Sequence, residues 1–360
     1  MKVKILGIGE ANPGKSIAQD SIAKFMLSAH GLEDRERKKL NFLYRKSGIE
    51  SRYSVLEDFE KEDFNQFSFF PKNKELHPFP GTKERMGVFC QEAPDLASKA
   101  ADRAMRKSKV TKEKITHLIL VSCTGMVAPG VELDLIQSLG LNSSIERYCI
   151  HFMGCYAAFT GIKLADKIVK AEPDSNVLLV CVELCTLHFQ KEYNEDNLLA
   201  NSLFGDGAAA AVLGCGEQRG LEIEKYSSHV IKEGEKDMAW GIGDFGFEMK
   251  LSKYIPSLLD KGIDGLRSDF ERTFGLSSIK NYAIHPGGKQ IIEKVQNAFG
   301  ITADKAKHSF EVLKSFGNMS SVTILFVLAR MMEDDDVKGN ILSLGFGPGL
   351  TLEAMNLNKV

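Results

Sequence analysis

Short apolar runs alternate with helix-period segments along almost the whole chain, and this alternation restricts the fold more than any other feature. THLILVSC (116–123) is followed by PGVELDLIQSLGL. SNVLLVCVEL (175–184) leads to GDGAAAAVLG, and NYAIHP (281–286) leads to GGKQIIEKVQNAFGI. NILSLGFG (340–347) comes near the end. The runs are apolar at odd and even positions alike, as central strands covered by helices on both faces must be. Strands and helices in alternation predict an α/β architecture.

A weak internal repeat sharpens this. In the first half, a strand ending near Cys123 leads to a helix ending in LGL, and a later strand and glycine present Cys155. In the second half, a strand ending near His285 leads to a helix ending in FGI, and SFGN then presents Asn318. Cys123 to Cys155 is 32 positions and His285 to Asn318 is 33. Two modules in the same order predict a duplication. A length of 360 residues suits two such units, predicted at 1–218 and 219–360, with the join near Cys215–Gly220. No low-complexity linker separates them, so they are expected to share one packed body.

Charge and cysteine usage exclude several classes. The formal net charge is −2 with no long one-signed block, so nothing asks for nucleic acid or an anionic membrane. EDRERKK (33–39) and EDDDV (333–337) read as solvated faces. The seven cysteines are odd in number, contain no CxxC, and sit partly inside apolar runs. That suits reduced thiols in a cytoplasmic protein and lacks the paired spacing of a zinc site. MKVKILGIGE is broken too early by Gly and Glu for a signal peptide, and VTILFVLA (322–329) is too short for a membrane span.

GEANPGKS (Gly9–Ser16) fits the P-loop pattern and offers a rival, nucleotide-binding reading that would depend on Lys15. Pro13 removes an N–H from the part of the loop that would cradle phosphate, and no apolar strand ending in Asp supplies a magnesium partner. GDFG (243–246) lacks every other kinase element. Both read as turns.

Cys155 stands where an apolar strand, RYCIHFM, gives way through Gly154 to a helical pattern. A helix N-terminus favours a thiolate. His285 ends a strand and precedes Pro-Gly-Gly, a position from which open α/β sheets address ligands. Asn318 follows a glycine ahead of another helical run. His30, His77, His229 and His308 read as surface or satisfied residues. A thiolate can take an acyl group from a thioester, while an imidazole and an amide can bind the oxygen of a second thioester as it becomes an enolate. Spacing alone does not bring the three together.

At this point the sequence resembles the thiolase-fold condensing enzymes, and among them the type III polyketide synthases, the chalcone synthase-like family. The resemblance rests on GCYA around Cys155, LFGDGAAA (203–210), HPGG (285–288), GNMSS (317–321) and GFGPGLT (345–351), in the family's order. VSCTGMVAPG (121–130) looks more like the bacterial branch than the plant one. The resemblance implies a thiolase-like fold with duplicated αβαβα layers. It implies Cys155 as nucleophile and His285 with Asn318 as the decarboxylation and oxyanion site. Phe204 matches a gatekeeper aromatic, and Met249, near Phe245 and Phe247, aligns with a second. Thr124, His188, Ser320 and Pro348 match cavity-lining positions. Lys46, Lys39, Gly287 and Gly288 match the region that meets coenzyme A.

The resemblance further implies a homodimer that uses acyl-CoA and malonyl-CoA, with no cofactor or metal, and cyclises a poly-β-keto chain. Ala128 stands where plant enzymes place a methionine that reaches across the dimer, and with Met249 it suggests room for a fatty acyl starter and an alkylpyrone or alkylresorcinol product. His188 is bulkier than the family's usual residue and would narrow another wall. The nearest rival is a single-condensation ketoacyl synthase III-like enzyme that works with an acyl carrier protein.

Overall fold

The computed structural model describes residues 2–252 and 254–360. The first half of the chain runs β1 (Lys4–Ala11), β2 (Ile17–Ala18), α1 (Gln19–His30), α2 (Asp34–Lys46), β3 (Ser51–Arg52), α3 (Thr82–Ser108), β4 (His117–Ser122), α4 (Val131–Leu139), β5 (Glu146–His151), α5 (Ala157–Ala171), β6 (Val177–Leu184), α6 (Glu195–Leu203) and β7 (Asp206–Gly214). The second runs β8 (Leu221–Val230), the hairpin β9 (Met238–Gly243) and β10 (Gly246–Leu251), α7 (Ile255–Phe274), β11 (Asn281–Ile284), α8 (Lys289–Phe299), α9 (Lys307–Phe316), α10 (Val322–Glu333), β12 (Gly339–Gly347) and β13 (Thr351–Lys359).

The main sheet has the order β11-β12-β13-β8-β1-β7-β6-β4-β5. It is two half-sheets joined by little: β1 meets β8 only through Lys4–Glu222 and Ile5–Leu221. In the first half-sheet β5, β4 and β6 are parallel, and β7 and β1 add antiparallel. In the second, β11 and β12 are parallel, and β13 and β8 add antiparallel. The strands β11, β12, β13 and β8 thus repeat β4, β6, β7 and β1. The repeat extends to hydrogen bonds. Gly140 and Gly300, the central glycines of LGL and FGI, both end their helices at positive φ. Their N–H groups bond to Gln137 and Asn297, and the next residues, Leu141 and Ile301, bond to Ile136 and Gln296. These are the same bonds at the same offsets.

Three apolar cores separate five layers. Along β4 the side chains alternate: Leu118 and Leu120 pack with α1 and α3, while Ile119 and Val121 pack with α5 and α10. The central core holds α5 and α10 between the half-sheets, with Ala283, Ile341, Met355 and Leu357 closing it from the second half. The third core packs α7 and α8 on the far face of β11, β12 and β13. The result is the αβαβα stack of a thiolase-like fold. α5 and α10 begin just after Cys155 and just after Asn318, so both residues are delivered to the N-terminal ends of the central layer. Among the described residues, no helix is long and apolar enough to cross a membrane.

Candidate active site

The turn before α5 is shaped by glycine. Gly154 has φ +75°, and a Cβ there would lie 2.2 Å from Pro348 Cδ. Only glycine lets the loop after β12 close over this turn and present Cys155. The Gly154 N–H donates to Cys123 Sγ at 2.9 Å. Cys155 lies buried beneath. Asn318 is tied to Phe204 by a backbone bridge, with its N–H donating to the Leu203 carbonyl and its own carbonyl accepting from Gly205. Its side-chain Oδ1 accepts from the Ser320 N–H at 2.9 Å and the Thr323 hydroxyl at 3.4 Å. That fixes the amide, so Nδ2 faces Cys155 Sγ at 3.9 Å and the Gly287 carbonyl at 3.4 Å. His285 follows β11 and is buried to 1 % exposure, and neither ring nitrogen has a hydrogen-bond partner among the described residues.

Burial dominates the protonation of both groups. It pushes the His285 imidazole down to about 3. It pushes the Cys155 thiol up to about 11, against the opposing pull of the Ser320 and Asn318 side chains, and Glu183 adds to the rise. Burial thus opposes the thiolate that the N-terminal end of α5 favours.

Cys155, His285 and Asn318 open into one cavity of about 330 Å³. Phe204, Met249, Thr124, Ser320, Pro348, Gly287, Gly288 and Lys46 also line it. Two expected residues do not. Lys39 pairs with Glu195 at 3.3 Å on the surface of α2 and is absent from the wall. His188 lines a second, smaller space behind the first, of about 40 Å³. Its Nε2–H donates to the Thr124 carbonyl at 2.8 Å, its Nδ1 accepts from the Phe247 N–H at 2.9 Å, and its ring stacks on Phe247 at 4.2 Å. It clamps the β9–β10 hairpin and does not narrow the main wall. Of the aligned hairpin residues, Met249 faces the cavity, Phe247 is buried against His188, and Phe245 is exposed. The Thr124 hydroxyl turns away from the cavity to Glu183.

Several further residues shape the cavity without belonging to any of the motifs. Trp240 stands opposite Met249 in the hairpin, lines the cavity, and donates its indole N–H to the Cys123 carbonyl at 2.6 Å. Cys123 and Cys185 line the cavity beside Cys155. Glu183 is fully buried and accepts from the Cys123 N–H, the Thr124 hydroxyl and the Ser321 hydroxyl at 2.9, 2.7 and 2.6 Å. Burial raises its carboxyl pKa despite these donors. The signal for Glu183 was present: a lone carboxylate inside VLLVCVEL is either a mispredicted strand or a buried polar hub. The P-loop pattern dissolves in the structure. β1 continues to Ala11, β2 intervenes before α1, and Lys15 is turned to Glu60 at 3.3 Å. Among the described residues, no group of three His, Cys, Asp or Glu is placed to hold a metal ion.

A buried cysteine, histidine and amide grouped at the ends of the two central helices of a thiolase-like fold define a condensing acyltransferase. Comparison with known proteins makes this particular. The model for chalcone and stilbene synthases, N-terminal domain, matches residues 1–217, and that for the C-terminal domain matches residues 222–360. The chain belongs to this family, the type III polyketide synthases. It is 31% identical over 363 residues to the alpha-pyrone synthesis polyketide synthase-like Pks18 of Mycobacterium tuberculosis, covering 98% of this chain and 90% of that protein. It is 30% identical over 367 residues to probable polyketide synthase 1 of Dictyostelium discoideum, covering 99% of this chain but only 11% of that much longer protein. Among solved structures, the C-terminal type III polyketide synthase domain of Steely1, a type I/III hybrid from Dictyostelium, superposes with a TM-score of 0.91 at 28% identity over the whole of both chains. PKS-I of the brown alga Ectocarpus siliculosus gives 0.92 at 29% identity, covering 100% of this chain and 98% of that one.

Proposed function

We propose that Cys155 is the nucleophile that takes an acyl group from acyl-CoA, and that His285 and Asn318 bind the thioester oxygen of malonyl-CoA during extension. In the loading step the Cys155 proton passes to His285, Sγ attacks the thioester carbonyl, and CoA leaves as its thiol. In extension the malonyl carboxylate departs as CO₂. The electron pair left behind is held as an enolate by an imidazole N–H and the Asn318 amide N–H. The carbanion then attacks the acyl-cysteine carbonyl, and the Cys155 thiolate is released for transfer of the lengthened chain. The observation that carries this reading is the unsatisfied pair of His285 ring nitrogens beside a pinned Asn318 amide, in a cavity that also holds a buried thiol. A buried polar group without a partner calls for a ligand to supply one.

The starter we assign is a fatty acyl group, with an alkylpyrone or alkylresorcinol as product. Ala128, Met249 and the name of the mycobacterial relative support it. CoA thioesters are the only small molecules the reaction needs, with no cofactor. The two halves divide at 218/219, the first carrying the cysteine and the second the histidine and asparagine. The working form is a cytoplasmic homodimer. The edge strand β5 supports the dimer, because Glu146, Arg147, Tyr148 and Cys149 lie exposed on it and the apolar Met126 and Val127 are exposed in the loop before α4. A bare strand edge with apolar neighbours needs cover.

Mass spectrometry of products from purified protein, malonyl-CoA and a mixed set of acyl-CoAs, without carrier protein or metal, tests the reading. Pyrone or resorcinol masses carrying fatty starters are expected. Turnover of aromatic or malonyl starters alone would remove the fatty acyl assignment. A single condensation that requires acyl carrier protein would establish the ketoacyl synthase alternative.

A further inference from the structure

Arg52, in the short strand β3, is only 2 % exposed, and burial lowers its pKa. A guanidinium is costly to hide, so what it touches matters. Its contacts are uncharged carbonyl oxygens. Nε donates to Gln19 Oε1 at 2.9 Å. Nη1 donates to the Asn201 carbonyl at 3.0 Å and again to the Phe204 carbonyl. Gln19 in turn donates to the Ser202 carbonyl at 2.9 Å. These main-chain carbonyls belong to the last turn of α6 and to the residue that ends it. A helix C-terminus is short of donors, and a cation there is favourable. Arg52 and Gln19 thus close α6 where Phe204 enters the cavity wall.

The same guanidinium reaches Asn318 through one peptide group. The Phe204 carbonyl accepts from Arg52, and the N–H on the other side of that peptide, on Gly205, donates to the Asn318 carbonyl at 2.9 Å. A cation on the oxygen of an amide polarises it and strengthens the bond that its N–H donates. The stem of Arg52 also packs against the turn that presents Asn318. Gly317 has φ +66°, and a Cβ there would lie 2.8 Å from Arg52 Cδ and 2.6 Å from the Leu203 carbonyl oxygen. Glycine at 317 lets the stem and the turn approach. Cys155 is held by a different set of contacts, the Gly154 turn and the Gly154–Cys123 bond. We propose that Arg52 is a positioning residue for decarboxylation: it fixes the backbone of Asn318 through the Phe204–Gly205 peptide, and with it the direction of the Asn318 amide. This inference rests on the assignment of Asn318 to the enolate oxygen, and it adds a residue that lies in none of the family motifs.

The test is Arg52→Lys, which keeps a cation but loses the planar fork that reaches Gln19, Asn201 and Phe204 together. Release of CO₂ from malonyl-CoA is expected to fall about tenfold, while acyl loading of Cys155, followed by intact mass, falls less than about twofold. In an Asn318→Ala background the same substitution should cost nothing further, because a residue that acts through the Asn318 amide then has nothing left to position. Additive losses, or equal falls in loading and decarboxylation, would make Arg52 a purely structural residue and refute the proposal. Gln19→Leu is the second handle if Arg52→Lys does not fold. It removes the Nε acceptor and leaves the two main-chain contacts, and the same split should appear at about twofold. If the wild type does not decarboxylate malonyl-CoA, the synthase reading fails, and hydrogen exchange still decides the positioning. Arg52→Lys should speed exchange at Gly205 and Asn318 about tenfold and leave β4 unchanged. Exchange unaltered at those two sites, or raised equally in β4, would overturn it.

Discussion

His188 makes the β9–β10 hairpin sensitive to acid, and the size of the effect follows from its contacts. Both ring nitrogens are committed: Nε2–H donates to Thr124, and Nδ1 accepts from Phe247. A proton on Nδ1 would abolish the second bond and place a charge in a buried site stacked against Phe247. Burial accordingly pushes the imidazole from 6.5 down to about 3, with the Thr124 carbonyl opposing and Arg85 adding a small like-charge push. Between those two values the unfolded chain binds a proton that the folded chain does not, so stability rises with pH and is lost as pH falls below 6.5. From pH 7 to pH 5 the loss from this residue is roughly 2 kcal/mol. With an m-value on the order of 3 kcal/mol/M, this lowers the urea midpoint by about 0.6 M. The variant to compare is His188→Gln, whose amide can donate and accept in the same places but does not titrate. His285 is unchanged in both proteins, so its own acid loss cancels. Urea midpoints at pH 7 and pH 5, at one protein concentration, should fall less in the variant by that amount. Equal falls would refute the idea that a neutral, doubly bonded His188 holds the hairpin.

Other expectations follow from the same geometry. Cys155→Ala should abolish acyl loading, read as the loss of the acyl mass shift on the intact protein, while the fold stays unchanged by circular dichroism. Asn318→Ala should impair malonyl-CoA decarboxylation at least tenfold and loading much less; equal losses in both would count against its assigned role. Gly154→Ala must move Pro348 or the turn itself, at a cost of about 2 kcal/mol or more, and should slow alkylation of Cys155 by iodoacetamide as well as lower thermal stability. Glu183→Ala leaves one N–H and two hydroxyls without their acceptor and should cost about 3 kcal/mol in urea unfolding. An unchanged midpoint would show that water replaces the carboxylate.

The parts of this protein that could be read in its sequence are those set locally. Gly140 and Gly300 end helices because the chain there turns left-handed, and LGL and FGI announce it. The placing of Cys155 after a strand and a glycine is likewise a local matter. The parts that could not be read depend on burial. A helix N-terminus argues for a thiolate at Cys155, yet the whole central core around it argues the other way, and no short stretch contains that core. His188 looked like a wall residue because alignment shows which position faces a cavity but not which of two adjoining spaces it faces. Lys39 and Lys46 are two turns apart on one helix face and are indistinguishable by pattern; a glutamate from α6, 156 positions away, separates their roles. Trp240 was hidden because its importance comes from a cross-chain bond to Cys123, 117 residues away.

The weak join between the half-sheets bears on how the site is held. Two residue pairs between β1 and β8 cannot set the relation of Cys155 to Asn318. What sets it is the shared core of α5 and α10, reinforced at the reacting end by Glu183. Its carboxylate holds Cys123 and Thr124 of the first half and Ser321 of the second, and Cys123 in turn holds the Gly154 N–H beside Cys155. One carboxylate therefore spans the two repeats at the level of the chemistry, through three charge-assisted or neutral hydrogen bonds whose loss would leave the two helix ends free to drift. A duplicated fold makes such a residue necessary. Each half can present one end of a central helix, but neither can fix the distance between the two ends. The group that does so has to sit on one half and be bonded to both, and on β6, between the helix ends, that group is Glu183.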